Sequence, residues 1–247
     1  MSALEPAEIR PAQPRTATAG IFDVDGVLLA SPHEQAWREA LQGFADPACF
    51  TSAIYQAHVA GKPRLAGARA ALEALGVPDG AGRAAAYAGA KQARLEGLIE
   101  TGTIAAFPDA LRLVQALAVR GWPMAVASSS KNANAMMRPI RLASGQNLLN
   151  VFTANLCGRN LKRGKPDPEI FLLAAEALRA PPAGCVVFED SSAGIEAARA
   201  GGMSSVGVAR LGDAAPLRAA GADRVVTSLD EIDIDELLSA QMTRRPP

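Results

Sequence analysis

Two hydrophobic rhythms alternate along this chain. Short apolar runs bounded by turn residues occur at Gly20-Ile21-Phe22, WPMAVAS, NVFTAN, CVVFED, SSVGVA and DRVVTS, and each has the length and β-branched content of a buried strand. Between several of them the apolar residues fall three and four apart. KNANAMMRPIRL, PEIFLLAAEALRA and SAGIEAARAGG predict helices, the last ending on paired glycines, and Asp230 to Ala240 predicts a final one. Strands alternating with helices predict an α/β fold: a Rossmann-like parallel sheet with helices on both faces. From Pro32 to Thr101 the strand rhythm stops. WREALQGF, RLAGARAALEAL and AAYAGAKQARLEGLI carry only the helical spacing. The chain therefore divides into an α/β core, residues 17–31 and 102–240, and an inserted α-helical cap domain, residues 32–101. Residues 1–16, with three prolines and no apolar period, read as a flexible tail.

Composition narrows the class of function. Half of the 247 residues are hydrophobic (49%), enough for a sizeable core. Twenty-five basic residues balance 25 acidic ones, which leaves no electrostatic case for a nucleic acid partner. No apolar run is long enough to span a membrane, and Met1 to Arg15 lacks the apolar segment of a signal peptide. Cys49, Cys157 and Cys185 are scattered without metal-ligand spacing and read as free thiols of a reducing compartment. The expectation is a cytoplasmic monomer acting on a small molecule.

Chemistry collects at the carboxyl ends of the strand-like runs, where open α/β sheets bind ligands. In GIFDVDGVLL, Asp23 and Asp25 end the first run and Gly26 permits a sharp exit. Residues i and i+2 of an extended chain share a side. Two carboxylates there need a cation or a reaction, or else they cap a surface turn. Magnesium suits a few carboxylate oxygens and a substrate phosphate. Ser128-Ser129-Ser130-Lys131-Asn132 follows AVA; hydroxyls and free N–H groups opening a helix form an anion site or an ordinary N-cap. Lys165 lies between Gly164 and Pro166 just before a helix, which suits a held charge better than a solvated one. Glu189-Asp190 ends CVVFED.

In this order the four stretches resemble the motifs of the haloacid dehalogenase superfamily, over about Gly20 to Leu229. FDVDGV is similar to the first motif, KPDPEIF to the third, and EDSSAGIEAARAGG to the fourth. The resemblance implies that Asp23 is the nucleophile, forming an aspartyl-phosphate, and Asp25 the general acid/base. It implies that Ser128 binds the transferring phosphoryl group and Lys165 neutralises charge. Asp23, Glu189, Asp190 and the backbone carbonyl of Asp25 would hold magnesium. A carboxylate nucleophile splits one difficult displacement into two easier steps, which is consistent with that assignment.

Further features resemble the β-phosphoglucomutase-like branch. These are Ser130-Lys131-Asn132, the spacing of His33 and Trp37, Gly61-Lys62-Pro63-Arg64, and Lys91 on the last cap helix. In the branch the serine–lysine–asparagine run and the cap arginine grip the substrate's other phosphate, and the cap lysine contacts sugar. Departures are a shorter connection between Asp25 and His33, and Ala30 where many members have aspartate. The implied function is magnesium-dependent phosphoryl transfer on a sugar phosphate. The specific expectation is interconversion of β-glucose 1-phosphate and glucose 6-phosphate. A sugar-phosphate phosphatase is the alternative, and a non-catalytic binding module is a third reading, opposed by the intact Asp23, Asp25, Lys165 and Asp190.

Overall fold

The computed structural model describes residues 17–101, 104–210 and 214–239; the expected tail at 1–16 lies outside them. Six strands form one parallel sheet: β1 (Ala19–Phe22), β4 (Met124–Val126), β5 (Ala154–Asn155), β6 (Cys185–Glu189), β7 (Ser204–Val208) and β8 (Arg224–Val226). Their order across the sheet is β5-β4-β1-β6-β7-β8. From β1 the chain builds outward through β4 and β5, then returns to the other side of β1 at β6. The crevice beside β1 and β6 is therefore the topological switch point, where such sheets bind ligands. Register makes it concrete. Phe22 pairs with Phe188, so Asp23 and Glu189 emerge side by side, and Asp23 N–H donates to Phe188 O at 3.0 Å.

Both sheet faces are covered, which is why the strands read as continuous apolar runs. One face packs Phe22, Val126, Val186, Phe188 and Val206 against α5 (Pro108–Val119). The other packs Ile21, Ala125 and Val187 against α7 (Glu169–Ala177) and α8 (Ser192–Ala200). The Phe22 and Phe188 rings stack at 4.4 Å directly beneath the site. Burying each such ring contributes about 1.5–3 kcal/mol.

A two-residue antiparallel pair, β2 (Leu29–Ala30) and β3 (Ala105–Ala106), joins the two crossings between core and cap. It is too short to leave an alternation in the sequence. Between its strands lie α1 (His33–Ala40), α2 (Ser52–Ile54) with a π-helical turn Tyr55–Val59, α3 (Arg64–Ala74) and α4 (Gly80–Thr101). They have their own core of Trp37, Leu41, Phe50, Leu72 and Tyr87, in which the Tyr87 hydroxyl donates to Trp37 O at 2.7 Å.

Several elements are shorter than the sequence predicts. The helix expected over KNANAMMRPIRL is α6 (Ala133–Met137) alone, closed before Pro139 because proline breaks the helical ladder. Of NVFTAN only β5 pairs; its start belongs to a 3-10 turn, Leu148–Val151, capped by Asn147. The final helix begins at Ile234 as α10 (Ile234–Ser239). A capping box of Ser228 and Glu231 first starts a separate 3-10 turn, and Asp233 then accepts from Asp235 N and Glu236 N, both at 2.9 Å. A further helix, α9 (Ala214–Ala219), is additional to the sequence reading. All three cysteines are free thiols. Among the described residues no helix is long and apolar enough to cross a membrane.

Candidate active site

The floor of the site is a buried charge cluster at the ends of β1 and β6. Lys165 Nζ donates to Asp23 Oδ1 at 2.7 Å and also bonds Glu189 Oε1. It lies 4.9 Å from the centroid of the Phe171 ring. Glu189 is fully buried, and its second oxygen accepts from Ser191 N at 2.7 Å and Ser191 Oγ at 2.9 Å. Burial pulls the Lys165 ammonium down, but the Asp23 and Glu189 charges outweigh it and hold the lysine protonated, above its ordinary range.

Asp23, Glu189 and Asp190 each offer a carboxylate oxygen, and these lie within 4.8 Å of one another. Burial, opposed by Lys165 and reinforced by Glu189 and Asp25, pushes Asp23 up to about 7. Burial, then Glu189 and Asp23, push Asp190 well above the carboxylate range. Three crowded carboxylates against one lysine leave a deficit of positive charge, which a hard divalent cation with oxygen ligands fits. Glu189 is already engaged on both oxygens, so Asp23 and Asp190 are the freer donors. Gly26 makes this crowding possible. Its φ is +76°, and a Cβ there would meet Asp190 Oδ2 at 1.9 Å.

The Asp25 side chain turns away from that group. Its Oδ2 accepts from Ser128 Oγ at 3.4 Å. Its Oδ1 is buried and, among the described residues, has no hydrogen-bond partner. His33 Nε2 stands 3.5 Å from it, but burial, aided by Lys91 and opposed by Asp25, pushes His33 down to about 4. At neutral pH this is a neutral imidazole near an ionisable oxygen, not an ion pair. The short connection from Asp25 thus still brings His33 to the site.

The serine-rich loop wraps the other side. Ser130 N donates to Ser128 Oγ at 3.1 Å, and Asn132 N to Ser130 Oγ at 3.2 Å. Ser129 Oγ reaches the cap, donating to Gly61 O at 3.3 Å. At Gly61, φ is +74° and a Cβ would lie 2.3 Å from Ser191 Oγ, so the cap loop rests directly on the core.

From the cap, Lys91 Nζ bonds His33 Nδ1 at 2.8 Å and sits 5.1 Å from the centroid of the Trp37 ring. While Lys91 is an ammonium it only donates, so His33 Nδ1 then accepts and Nε2 carries the hydrogen toward Ser130 Oγ, 3.2 Å away. Arg64 is exposed and bonds Gln92 Oε1. Gln92 and Asn132 exchange amide bonds of 3.2 and 3.3 Å across the cap–core junction. These groups enclose a cavity of about 350 Å³. Lys131 is exposed at its margin. Tyr55, Gln92 and Arg159 also line it; no motif marks them in the sequence, although Gln92 adjoins Lys91.

Burial, opposed by Asp25 and aided by Arg64, pushes Lys91 down to about 7. A lysine whose folded value is depressed costs stability wherever both states are charged. That cost fades as pH rises from about 7 toward the unfolded value of about 10.4. Lys91→Met is therefore expected to be more stable than wild type at pH about 6, with the gap closing by about 1.4 kcal/mol per pH unit above neutrality. Urea titrations of both proteins between these limits check this; a gap independent of pH contradicts it.

Residues 18–202 match the haloacid dehalogenase-like hydrolase family. The beta-phosphoglucomutase of Mycobacterium tuberculosis is 34% identical over 89% of this chain and 92% of its own length. The phosphorylated carbohydrates phosphatase of Thermotoga maritima is 32% identical over 84% and 93%. Among solved structures, the archaeal beta-phosphoglucomutase from Pyrococcus sp. Strain ST 04 superposes with a TM-score of 0.71 at 29% identity, covering 90% of this chain and 97% of that one.

Proposed function

Because the chain belongs to the haloacid dehalogenase-like hydrolases and is an enzyme of that family, phosphomutase or phosphatase, we propose that it moves the phosphoryl group of a sugar phosphate through Asp23. The observation that carries this is Lys165, buried and shared between Asp23 and Glu189, with Asp190 in the same cluster. A buried carboxylate on a fixed ammonium is oriented for in-line attack, and little covalent chemistry beyond positioning is needed.

In the forward step an Asp23 oxygen bonds phosphorus as the bond from phosphorus to the sugar oxygen breaks. Asp25 gives its proton to that departing oxygen. In the second step the acceptor hydroxyl loses its proton to Asp25 and takes the phosphoryl group from Asp23. Asp25 Oδ1, which has no hydrogen-bond partner among the described residues, is open to this exchange. Ser128 binds the transferring phosphoryl group, and Lys165 offsets the charge of nucleophile and substrate. Asp23, Asp190, Glu189 and the Asp25 carbonyl would hold magnesium, which when bound supplies further neutralisation of the phosphoryl oxygens.

The specific reading is a β-phosphoglucomutase-like mutase in which Asp23 starts phosphorylated. The 6-hydroxyl of β-glucose 1-phosphate loses its proton to Asp25 and takes the phosphoryl group from Asp23, forming a sugar bisphosphate. Asp23 then takes the 1-phosphoryl group as Asp25 returns the proton to the 1-oxygen of the departing glucose 6-phosphate. The other phosphate of that bisphosphate needs its own cationic seat. Arg64, Lys131, Ser130 and Asn132 form it, with His33 and Lys91 toward the sugar and Ser129 fixing the loop to the cap. Closure of α1–α4 over the core excludes water from the aspartyl-phosphate. The phosphatase alternative uses the same floor with water as acceptor, and a relative named as a carbohydrate-phosphate phosphatase supports keeping it. The reading includes a monomer in the cytoplasm, a compartment that the three free thiols suit.

Arg64→Ala separates the two. Arg64 is exposed, so its contribution is that of a charge-assisted hydrogen bond, about 1.5–3 kcal/mol, less than a buried partner would give. Isomerisation of β-glucose 1-phosphate, primed with a bisphosphate, is expected to fall by about 10- to 150-fold at that energy. Hydrolysis of a small aryl phosphate, which does not reach the second seat, changes little. Equal losses in both assays, or a wild-type protein that hydrolyses sugar phosphates but never isomerises, favour the phosphatase.

A further inference from the structure

Arg210 follows β7, on the far side of the sheet's switch point from the serine loop, and its guanidinium is held on four sides. Nε donates to Gly26 O at 2.9 Å and Nη2 to Val27 O at 3.0 Å. Nη1 donates to Asp109 Oδ2 at 2.9 Å. The guanidinium carbon lies 3.7 Å from the centroid of the Phe107 ring. Each contact reaches a part of the catalytic apparatus. Gly26 and Val27 are the two residues after Asp25. Phe107 follows β3, and its N–H donates to Leu28 O at 2.9 Å, so it belongs to the crossing between core and cap. Asp109, buried in the first turn of α5, is itself fixed by Ser228 Oγ at 3.0 Å and Leu229 N at 2.7 Å. These bonds and the Arg210 charge outweigh its burial and hold its carboxyl below the ordinary range, so the anchor is an anion.

Three features mark this as more than a surface ion pair. The acceptors are two backbone carbonyls and a carboxylate, in a geometry that only a planar fork of donors satisfies. The Arg210 side chain is 13% exposed and that of Asp109 7%, so the contact is little screened. The two gripped carbonyls belong to a turn that spans Val24 to Leu29, closed by Gly26 N to Leu29 O and by Leu28 N and Leu29 N to Val24 O, each at 2.9 Å; Gly26 and Val27 offer their carbonyls outward to Arg210. Those bonds fix the turn's own shape, whereas Arg210 ties it, and with it Asp25, to Asp109 and the far strands of the sheet.

We propose that Arg210 is a positioning residue: through Gly26, Val27 and Phe107 it fixes the Asp25 loop and the cap crossing to the sheet edge anchored by Asp109. The cap can then open and close about β2 and β3 while Asp25 keeps its place beside Asp23. This rests on the reading of Asp25 as general acid/base.

The test compares full-length wild type, Arg210→Lys and Asp109→Asn, with Arg112→Lys as a control on an exposed ion pair outside the site. Two readouts are taken: kcat and KM for an aryl phosphate and for β-glucose 1-phosphate, and amide hydrogen exchange of the substrate-free proteins. Lysine keeps the charge but not the fork. A displaced reacting group reduces turnover more than binding, so kcat of Arg210→Lys is expected to fall between about 10- and 100-fold with KM changed by less than about threefold. Exchange is expected to quicken at residues 24–29 and 105–107 while β4 and β6 keep wild-type rates. Asp109→Asn, which weakens one arm, gives a smaller change of the same kind and serves if Arg210→Lys does not fold. Wild-type kcat in Arg210→Lys, unchanged exchange at 24–29, or equal quickening throughout the sheet overturns the proposal. If wild type turns over no phosphate ester, the functional reading has failed, and the exchange pattern alone decides whether Arg210 holds the loop.

Discussion

Asp23→Asn is expected to lower turnover by more than about a hundredfold, because a covalent nucleophile normally accounts for at least that much. The substitution is nearly isosteric, and its effect on folding runs the other way. Burial raises the Asp23 carboxyl to about 7. A carboxyl with a raised folded value adds stability while it is protonated and loses that contribution as pH rises from the unfolded value of about 3.9 to the folded one. At pH above 7 an amide at this position removes a buried charge that burial disfavours, although Lys165 loses one of its two partners. The Asn variant should therefore fold and keep the β1–β6 pairing while its activity disappears. Steady-state kinetics and a thermal melt on the same preparation read both halves. Residual activity above about 1% denies Asp23 the covalent role.

Lys165→Met is expected to affect both stability and activity. The ammonium lies between two carboxylates, and the side chains of Lys165 and Glu189 are wholly inaccessible to solvent. Removing one partner of a buried pair leaves an uncompensated charge and costs about 3–5 kcal/mol. The sign of the pH dependence follows from the raised value of Lys165. Its stabilisation is complete below the ordinary lysine range and fades only as pH passes the raised folded value. At neutral pH the whole loss is therefore felt. It shrinks on acidification, as Asp23, whose carboxyl rises further once Lys165 no longer lowers it, protonates and ceases to be an unpaired anion. Glu189 keeps its bonds from Ser191, which limits the damage to one side of the cluster. Activity should fall by more than about a hundredfold, since charge neutralisation at the transferring group is a main part of catalysis in phosphoryl transfer. Urea unfolding at pH 5 and 8, with kinetics at pH 8, checks both. A variant as stable as wild type at pH 8 contradicts the ion-pair account.

What was legible in the sequence follows from where each group sits along the chain. Asp23, Asp25, Ser128, Lys165 and Glu189-Asp190 each adjoin an apolar run or a proline that announces a strand end or helix start, so local pattern places them there, while their expected roles come from the family resemblance. The partners that tune them are not local. His33 meets Lys91 across 58 residues, and nothing in either stretch reports the contact. The Gln92–Asn132 amide pair spans 40. Arg210 grips backbone carbonyls more than 180 residues earlier, and a carbonyl acceptor leaves no trace in the side-chain pattern. Tyr55 reaches the cavity through a π-helical turn, which has no distinct spacing. The fold's alternation was readable because each strand is buried on both faces, whereas β2 and β3, two residues each, fall below any period.

The central claim is that the phosphoryl group rests on Asp23 between donor and acceptor. Rapid acid quenching of the wild-type enzyme during turnover of a radiolabelled sugar phosphate, followed by borohydride reduction and peptide mass analysis, tests it most directly. The account predicts protein-bound label that appears and decays at catalytically competent rates, with homoserine at position 23 after reduction and neither signal in Asp23→Asn. Full turnover with no label on the protein, or label reduced at another residue, would contradict it.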